Sequence, residues 1–143
     1  MLRESITQQL KDHGLKVTPQ RLAIMEVLLE KRDLHPGAHF LHKEAKKKRR
    51  SLSLSTTYAT IKELSRHGII KILQFDKMED RCEGNLEEHI NLICEKCKKI
   101  LDYKVSVGVD QQEVAKKTGF SIKGTRLEYY GYCRECRKDQ GIQ

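Results

Sequence analysis

An α+β chain in two parts is predicted by three observations. Helical periodicity runs from Leu2 to His67, short strand-like segments follow from Ile69 onward, and two CxxC pairs, Cys94/Cys97 and Cys133/Cys136, lie in the second half. Successive helices followed by a two-stranded hairpin have the order of a winged helix-turn-helix domain, assigned to residues 1–83. Four thiols in two i, i+3 pairs are what a tetrahedral zinc ion takes, with Zn–S bonds of about 2.3 Å. Residues 89–143 are therefore expected to form a small zinc-stapled α/β domain, with residues 84–88 as a hinge.

Each element has a local reason. Leu2, Ile6 and Leu10 predict a first helix, ended by Gly14. Thr18 followed by Pro19 is an N-cap and N1 pair that opens a second helix, with Leu22, Met25, Leu28 and Leu29 as its apolar face. His35-Pro36 breaks the pattern, and a third helix runs from about Gly37 into the basic run from Lys46 to Arg50. Ser53 caps a fourth helix, from Leu54 to about His67, stopped by Gly68. Ile69–Phe75 is expected to be a strand, Asp76–Asp80 a turn and Arg81–Glu83 the returning strand. Beyond the hinge, strands are expected at His89–Ile93, Lys99–Tyr103 and Phe120–Tyr129, with a helix near Val109–Thr118.

Composition narrows the function. With 38% hydrophobic residues, 6% aromatic and no Trp in 143 residues, the chain has enough for two modest cores but not for a deep catalytic cleft. No nucleophile–base–orienter set appears, so no catalytic residue is assigned. No apolar run reaches the ~18 residues of a membrane span, so no membrane partner is expected. The start has no apolar signal region, and paired CxxC cysteines read as metal ligands in a reducing, cytoplasmic setting. The formal net charge of +8 is uneven: residues 1–85 hold 17 Lys+Arg against 11 Asp+Glu, and residues 86–143 hold 11 against 9. The basic field belongs to the first half and points to a polyanion as partner.

On the fourth helix, 100° per residue places Leu54, Thr57, Ile61 and Leu64 on one side. Ser55, Thr56, Ala59, Lys62 and Arg66 fall on the other, with Tyr58 at its edge. A small, hydroxylated and basic face suits a helix in the major groove of double-stranded DNA: hydroxyls reach base edges or phosphates, Ala59 meets a thymine methyl, and Lys62 and Arg66 neutralise phosphates. Arg21 is taken as a further DNA contact. The same face also fits an ordinary solvated helix. The run Lys46–Arg50 fits either a solvated helix end or phosphate contact.

Taken together, GLKVTPQRLAIMEVLLE, the His35-Pro36 after it, SLSTTYATIKELSRHGII and the paired CxxC motifs resemble the ferric uptake regulator family, nearest its peroxide-responsive members. The resemblance implies a homodimeric, metal-dependent repressor that binds a palindromic operator, with the second domain serving dimerisation. It implies a structural Zn2+ at Cys94, Cys97, Cys133 and Cys136. It also implies a regulatory Fe2+ or Mn2+ held by His35, Glu83, His89 and Asp102. Two imidazoles and two carboxylates suit such borderline-hard ions. Asn91 stands where the family has a second histidine after His89, and Thr125 and Ile90 depart from a further regulatory site. His39 and His42 match no ligand position of the family and are read as surface residues.

Two other readings stand beside this one, the second from a different class. A metal-independent or thiol-responsive regulator of the same family follows if Asn91 marks a degenerate sensing site, with Cys82 as the lone further thiol. A thiol-disulfide enzyme using one CxxC would hold no tight zinc, and the setting usual for such a motif is absent.

Overall fold

The computed structural model describes residues 2–105 and 108–141. The chain divides into two compact units, Met1–Leu86 and Glu87–Gln143. Among the described residues no helix is long and apolar enough to cross a membrane.

The first unit begins with α1 (Leu2–Asp12), which buries Ile6 and Leu10. Next comes α2 (Pro19–Glu30), where Thr18 Oγ1 accepts from Arg21 N at 3.2 Å and Pro19 opens the helix. The expected one-sided stripe on α2 is too narrow. Every residue from Ala23 to Leu28 is buried, while Leu22 and Leu29 pack half-buried against the core. The reason is position: α2 touches α1, α3 (Ala38–Lys48) and α4 (Leu54–Arg66), so little of it faces water.

The surrounded helix carries one charge inward, Glu26. Its carboxylate accepts from Arg3 Nε at 2.7 Å and pairs with Lys48 Nζ at 3.2 Å. The hydrogen bond from Arg3 outweighs burial and, with Lys48, holds the carboxyl below its usual range. A single buried acid thus ties both α1 and α3 to the central helix.

On α4, Ser53 Oγ accepts from Thr56 N at 3.1 Å, and the chain leaves the helix through Gly68 at φ +73°. Thr57, Ile61 and Leu64 are buried as expected, and so is Thr60. Leu54 is only half-buried, since it lies at the first helical position, ahead of the packed turns. The wing is a hairpin of β1 (Lys71–Leu73) and β2 (Arg81–Glu83), with Ile72 opposite Cys82. The strand expected over Ile69–Phe75 shrinks to three residues, because Ile69 and Ile70 are spent in the helical core before the ladder starts. Cys82 N then donates to Pro36 O at 2.9 Å, hooking β2 to the segment that precedes α3.

In the second unit, β3 (His89–Cys94) is the middle strand of a three-stranded sheet. It pairs antiparallel with β4 (Ile100–Lys104) and parallel with β5 (Glu128–Gly131). The α5 helix (Gln111–Thr118) buries nothing, and α6 (Arg134–Asp139) closes the unit. The strand expected over Phe120–Tyr129 is corrected: residues 120–127 form no strand, and pairing starts only at Glu128. The alternation in Phe120-Ser121-Ile122-Lys123 imitates a strand. A ladder needs a partner, however, and β3 offers its first bond here from Asn91 N to Leu127 O, at 3.0 Å. The buried apolar set of this unit is small: Ile90, Ile93 and Ile100, joined by Cys94 and Cys136.

Glu26→Gln is expected to lower the stability of the protein by about 1.5–3 kcal/mol at neutral pH, the usual worth of a hydrogen bond to a charged group. Because the folded carboxyl titrates below its unfolded value, this contribution is full above the unfolded value and disappears as pH falls through the folded one. Urea unfolding at neutral and at acidic pH should show the gap between wild type and variant closing in acid; an equal gap at both would refute the assignment.

Candidate metal centres and nucleic-acid face

Four cysteines from two elements and the turns beside them converge at one end of the second unit's sheet. Cys94 ends β3, Cys97 sits in the turn to β4, Cys133 caps α6 and Cys136 lies within it. The turn is closed by Lys98 N donating to Cys94 O at 3.0 Å, with Lys98 in the left-handed region at φ +65°. Glu95 N donates to Gly131 O at 2.7 Å, so the first CxxC is held against the strand that leads to the second. The four Sγ atoms lie within 4.8 Å of one another, and Cys97 Sγ is 3.8 Å from Cys133 Sγ. Tetrahedral bonds of about 2.3 Å place sulfurs roughly 3.8 Å apart, so this spacing fits a zinc ion and is far too long for a disulfide.

Electrostatics agree with a cation site. Burial opposes ionisation of Cys94, but the backbone N–H groups of Cys133, Cys97 and Lys96 overcome it and bring the thiol down to about 6. Cys133 N donates to Cys94 Sγ at 3.4 Å. Cys136 is pushed the other way, up to about 12, by burial and then by the neighbouring thiols. Cys94 is drawn toward the thiolate while burial holds Cys136 protonated, so a dication that binds here must displace protons.

On the first unit, β2 and the His35-Pro36 segment bring an imidazole and a carboxylate together. His35 Nε2 is 3.2 Å from Glu83 Oε2, and both side chains are almost wholly buried. Glu83 Oε1 accepts from Asn85 N at 3.1 Å, and Arg81 Nη1 donates to His35 O at 3.4 Å. His35 adopts φ +48°, a left-handed backbone for a non-glycine residue directly before proline. Such a conformation costs roughly 1–3 kcal/mol and is held here by the surrounding bonds.

On the second unit, His89 Nε2 is 3.5 Å from Asp102 Oδ1 and 3.2 Å from Asn91 Oδ1, while Nδ1 lies 2.6 Å from Glu87 O. Asn91 and Asp102 face each other in the β3–β4 ladder. Asn91 is buried, and its amide oxygen lies alongside the ring of His89. On the opposite side of Asn91 the ladder places Glu128, a nearly buried carboxylate joined to Arg126 and to the Tyr130 hydroxyl. Glu128 went unnoticed in the sequence because parallel pairing leaves no local signal.

Ser55, Thr56, Tyr58, Ala59, Lys62 and Arg66 are presented on α4 away from the core, and all six are exposed. Arg66 pairs with Glu63 at 2.7 Å. Arg21 is half-buried, and its guanidinium donates to Lys16 O at 2.6 Å, so part of it supports the turn before α2. His39 packs edge-on against Tyr58, with ring centroids 6.2 Å apart, and His42 Nε2 bonds Leu52 O at 2.9 Å. Cys82 is buried, and burial, with Asp80 and Glu79 nearby, pushes its thiol up to about 12, which leaves it no thiolate character.

An exposed basic helix ahead of a hooked hairpin defines the chain as a winged-helix DNA-binding protein. Residues 12–130 match the Ferric uptake regulator family, and the chain belongs to it as a metal-dependent DNA-binding transcriptional regulator. It is 35% identical over 141 residues to the Peroxide operon regulator of Bacillus subtilis (strain 168), covering 97% of this chain and 95% of that protein. It is 33% identical over 139 residues to the Peroxide-responsive repressor PerR of Staphylococcus epidermidis (strain ATCC 12228 / FDA PCI 1200), covering 96% and 91%. Among solved structures, the Vibrio cholerae ferric uptake regulator is similar with a TM-score of 0.70 at 30% identity, covering 89% of this chain and 98% of that one. The Campylobacter jejuni peroxide stress regulator is similar with a TM-score of 0.67 at 29% identity, covering 92% and 98%.

Cys133→Ser is expected to abolish tight zinc binding and to melt the β3–β4–β5 sheet, while the circular-dichroism signal of α1 to α4 persists. Zinc analysis after desalting measures this; a variant that keeps about one zinc per chain would remove Cys133 from a four-sulfur site.

Proposed function

We propose that this chain is a cytoplasmic, homodimeric repressor whose binding to a palindromic double-stranded DNA operator is governed by Fe2+ or Mn2+. Cys94, Cys97, Cys133 and Cys136 hold a structural Zn2+ that shapes the dimerisation domain. The convergence of their sulfurs at tetrahedral spacing supports this. His35 and Glu83 on one unit, with His89 and Asp102 on the other, would supply the ligands of the regulatory metal, and residues 84–88 act as the hinge. The observation that carries the reading is that each unit by itself holds an imidazole beside a carboxylate, at 3.2 Å and 3.5 Å.

A divalent cation, when bound, supplies the positive charge that both pairs are built to meet. The chain's own part is to offer its donors as two half-sets. An ion that takes donors from both is complete in only one arrangement of the units, so binding shifts the population toward that arrangement. Asn91 contributes by orienting the His89 ring, in place of a second imidazole. Dimerisation is supported by the apolar residues left open on the second unit: Leu101, Tyr103, Tyr129 and Tyr132 are exposed, and Leu101, Tyr129 and Tyr132 line a groove of about 300 Å3. Gene control in response to peroxide or metal follows the relatives' names. A thiol-responsive alternative through Cys82 is disfavoured by its buried, protonated state.

In anaerobic binding assays on zinc-loaded protein, Mn2+ should tighten operator binding by roughly 5–150-fold, the usual range of such couplings. His89→Ala should lose most of that gain while keeping its zinc. Full metal stimulation in the variant would exclude His89 from the sensing site.

A further inference from the structure

The basic run Lys46-Lys47-Lys48-Arg49-Arg50 is not one surface. Lys48 reaches Glu26 at 3.2 Å and Glu30 at 3.0 Å, so it belongs to the seam between α3 and α2. Lys47 turns to Glu44, at 3.0 Å. Lys46, Arg49 and Arg50 are exposed, and none has an ion pair with a described residue.

These three cations share one location. His39, His42 and Lys46 follow one another at i, i+3 and i+7, which places them on one stripe of α3. That stripe lies against the start of α4: His39 meets the ring of Tyr58, and His42 bonds the carbonyl of Leu52, one residue before the cap Ser53. Arg49 and Arg50 sit in the turn between, where Leu52 N donates to Arg49 O at 3.0 Å. The turn that feeds the recognition helix is therefore ringed by three uncommitted cations, beside the exposed hydroxyls of Ser55 and Thr56.

We propose that Lys46, Arg49 and Arg50 form a phosphate clamp that grips the DNA backbone at the N-terminal end of α4, while Lys48 is a structural lysine with no part in DNA binding. This rests on the reading of α4 as the DNA-facing helix. The clamp carries no base readout: it touches phosphates, sets how α4 enters the groove, and acts equally on any sequence. Its partner is the sugar-phosphate backbone of duplex DNA.

The test uses the full, zinc-loaded chain with Mn2+ and a random-sequence duplex, because non-specific binding is almost wholly electrostatic. Affinity is measured across a salt series for wild type, for the triple variant Lys46→Ala/Arg49→Ala/Arg50→Ala, and for Lys48→Ala. The slope of log affinity against log salt should become shallower by about 0.9 for each phosphate no longer neutralised, or about 2.7 per protomer in the triple variant. Its melting temperature should stay at the wild-type value. Lys48→Ala should do the opposite, melting earlier with an unchanged slope. A triple variant with the wild-type slope overturns the clamp, and so does a shallower slope in Lys48→Ala. Should the triple variant melt early, the three single variants are measured, and slopes all equal to wild type overturn the clamp as well. A wild-type protein that binds no duplex overturns the reading of α4 and the clamp with it, so the two failures are distinguishable.

Discussion

The second unit depends on the convergence of four sulfurs. Among the described residues its buried apolar set is three isoleucines and two cysteines, and α5 buries nothing. A domain this small with so little inside needs a staple. The four cysteines bring the donors for one together from distant segments, the β3 end and the last helix. The same sulfurs set the terms of metal binding: Cys136 is pushed up to about 12 while Cys94 is drawn down to about 6, so a dication that takes all four must displace protons. Fold and metal are in this sense one equilibrium.

In the first unit the comparable constraint is a backbone bond. Cys82 N donating to Pro36 O attaches the wing to the loop before α3, and the neighbouring residues His35 and Glu83 are thereby brought within 3.2 Å. The left-handed backbone at His35 is the cost of aiming its ring inward. The His35–Glu83 pair and α4 are linked through α3, which follows His35 and also packs on α4. A change at the His35–Glu83 pair has a short path to the face that meets DNA.

The charges of this unit divide by depth. Glu26 is an inward acid satisfied from two sides, and it consumes Arg3 and Lys48. Lys46, Arg49 and Arg50, further out, have no such duty toward a described residue. Net charge alone does not make that separation. It arises because α2 is surrounded, so that any charge on it must draw its partners from neighbouring helices.

The limits of α1 to α5, the caps and the exposed face of α4 were legible in the sequence, because caps, glycine stops and 3.6-residue periodicity act within a few residues; the short α6 was not foreseen. The CxxC pairs were legible for the same reason, since i, i+3 spacing is local chemistry. The order of helices and hairpin also followed, except that the wing strand came out shorter once Ile69 and Ile70 were drawn into the core. Other features only the tertiary structure decided. Phe120–Lys123 alternates like a strand but has no partner, and β5 starts later, where β3 reaches it. Glu128 beside Asn91, Lys48 beside Glu26 and His42 on Leu52 O each join residues that no local pattern relates. Pairing across a sheet and burial around a surrounded helix are long-range events, and the side chains they bring together carry no mark of it in the sequence.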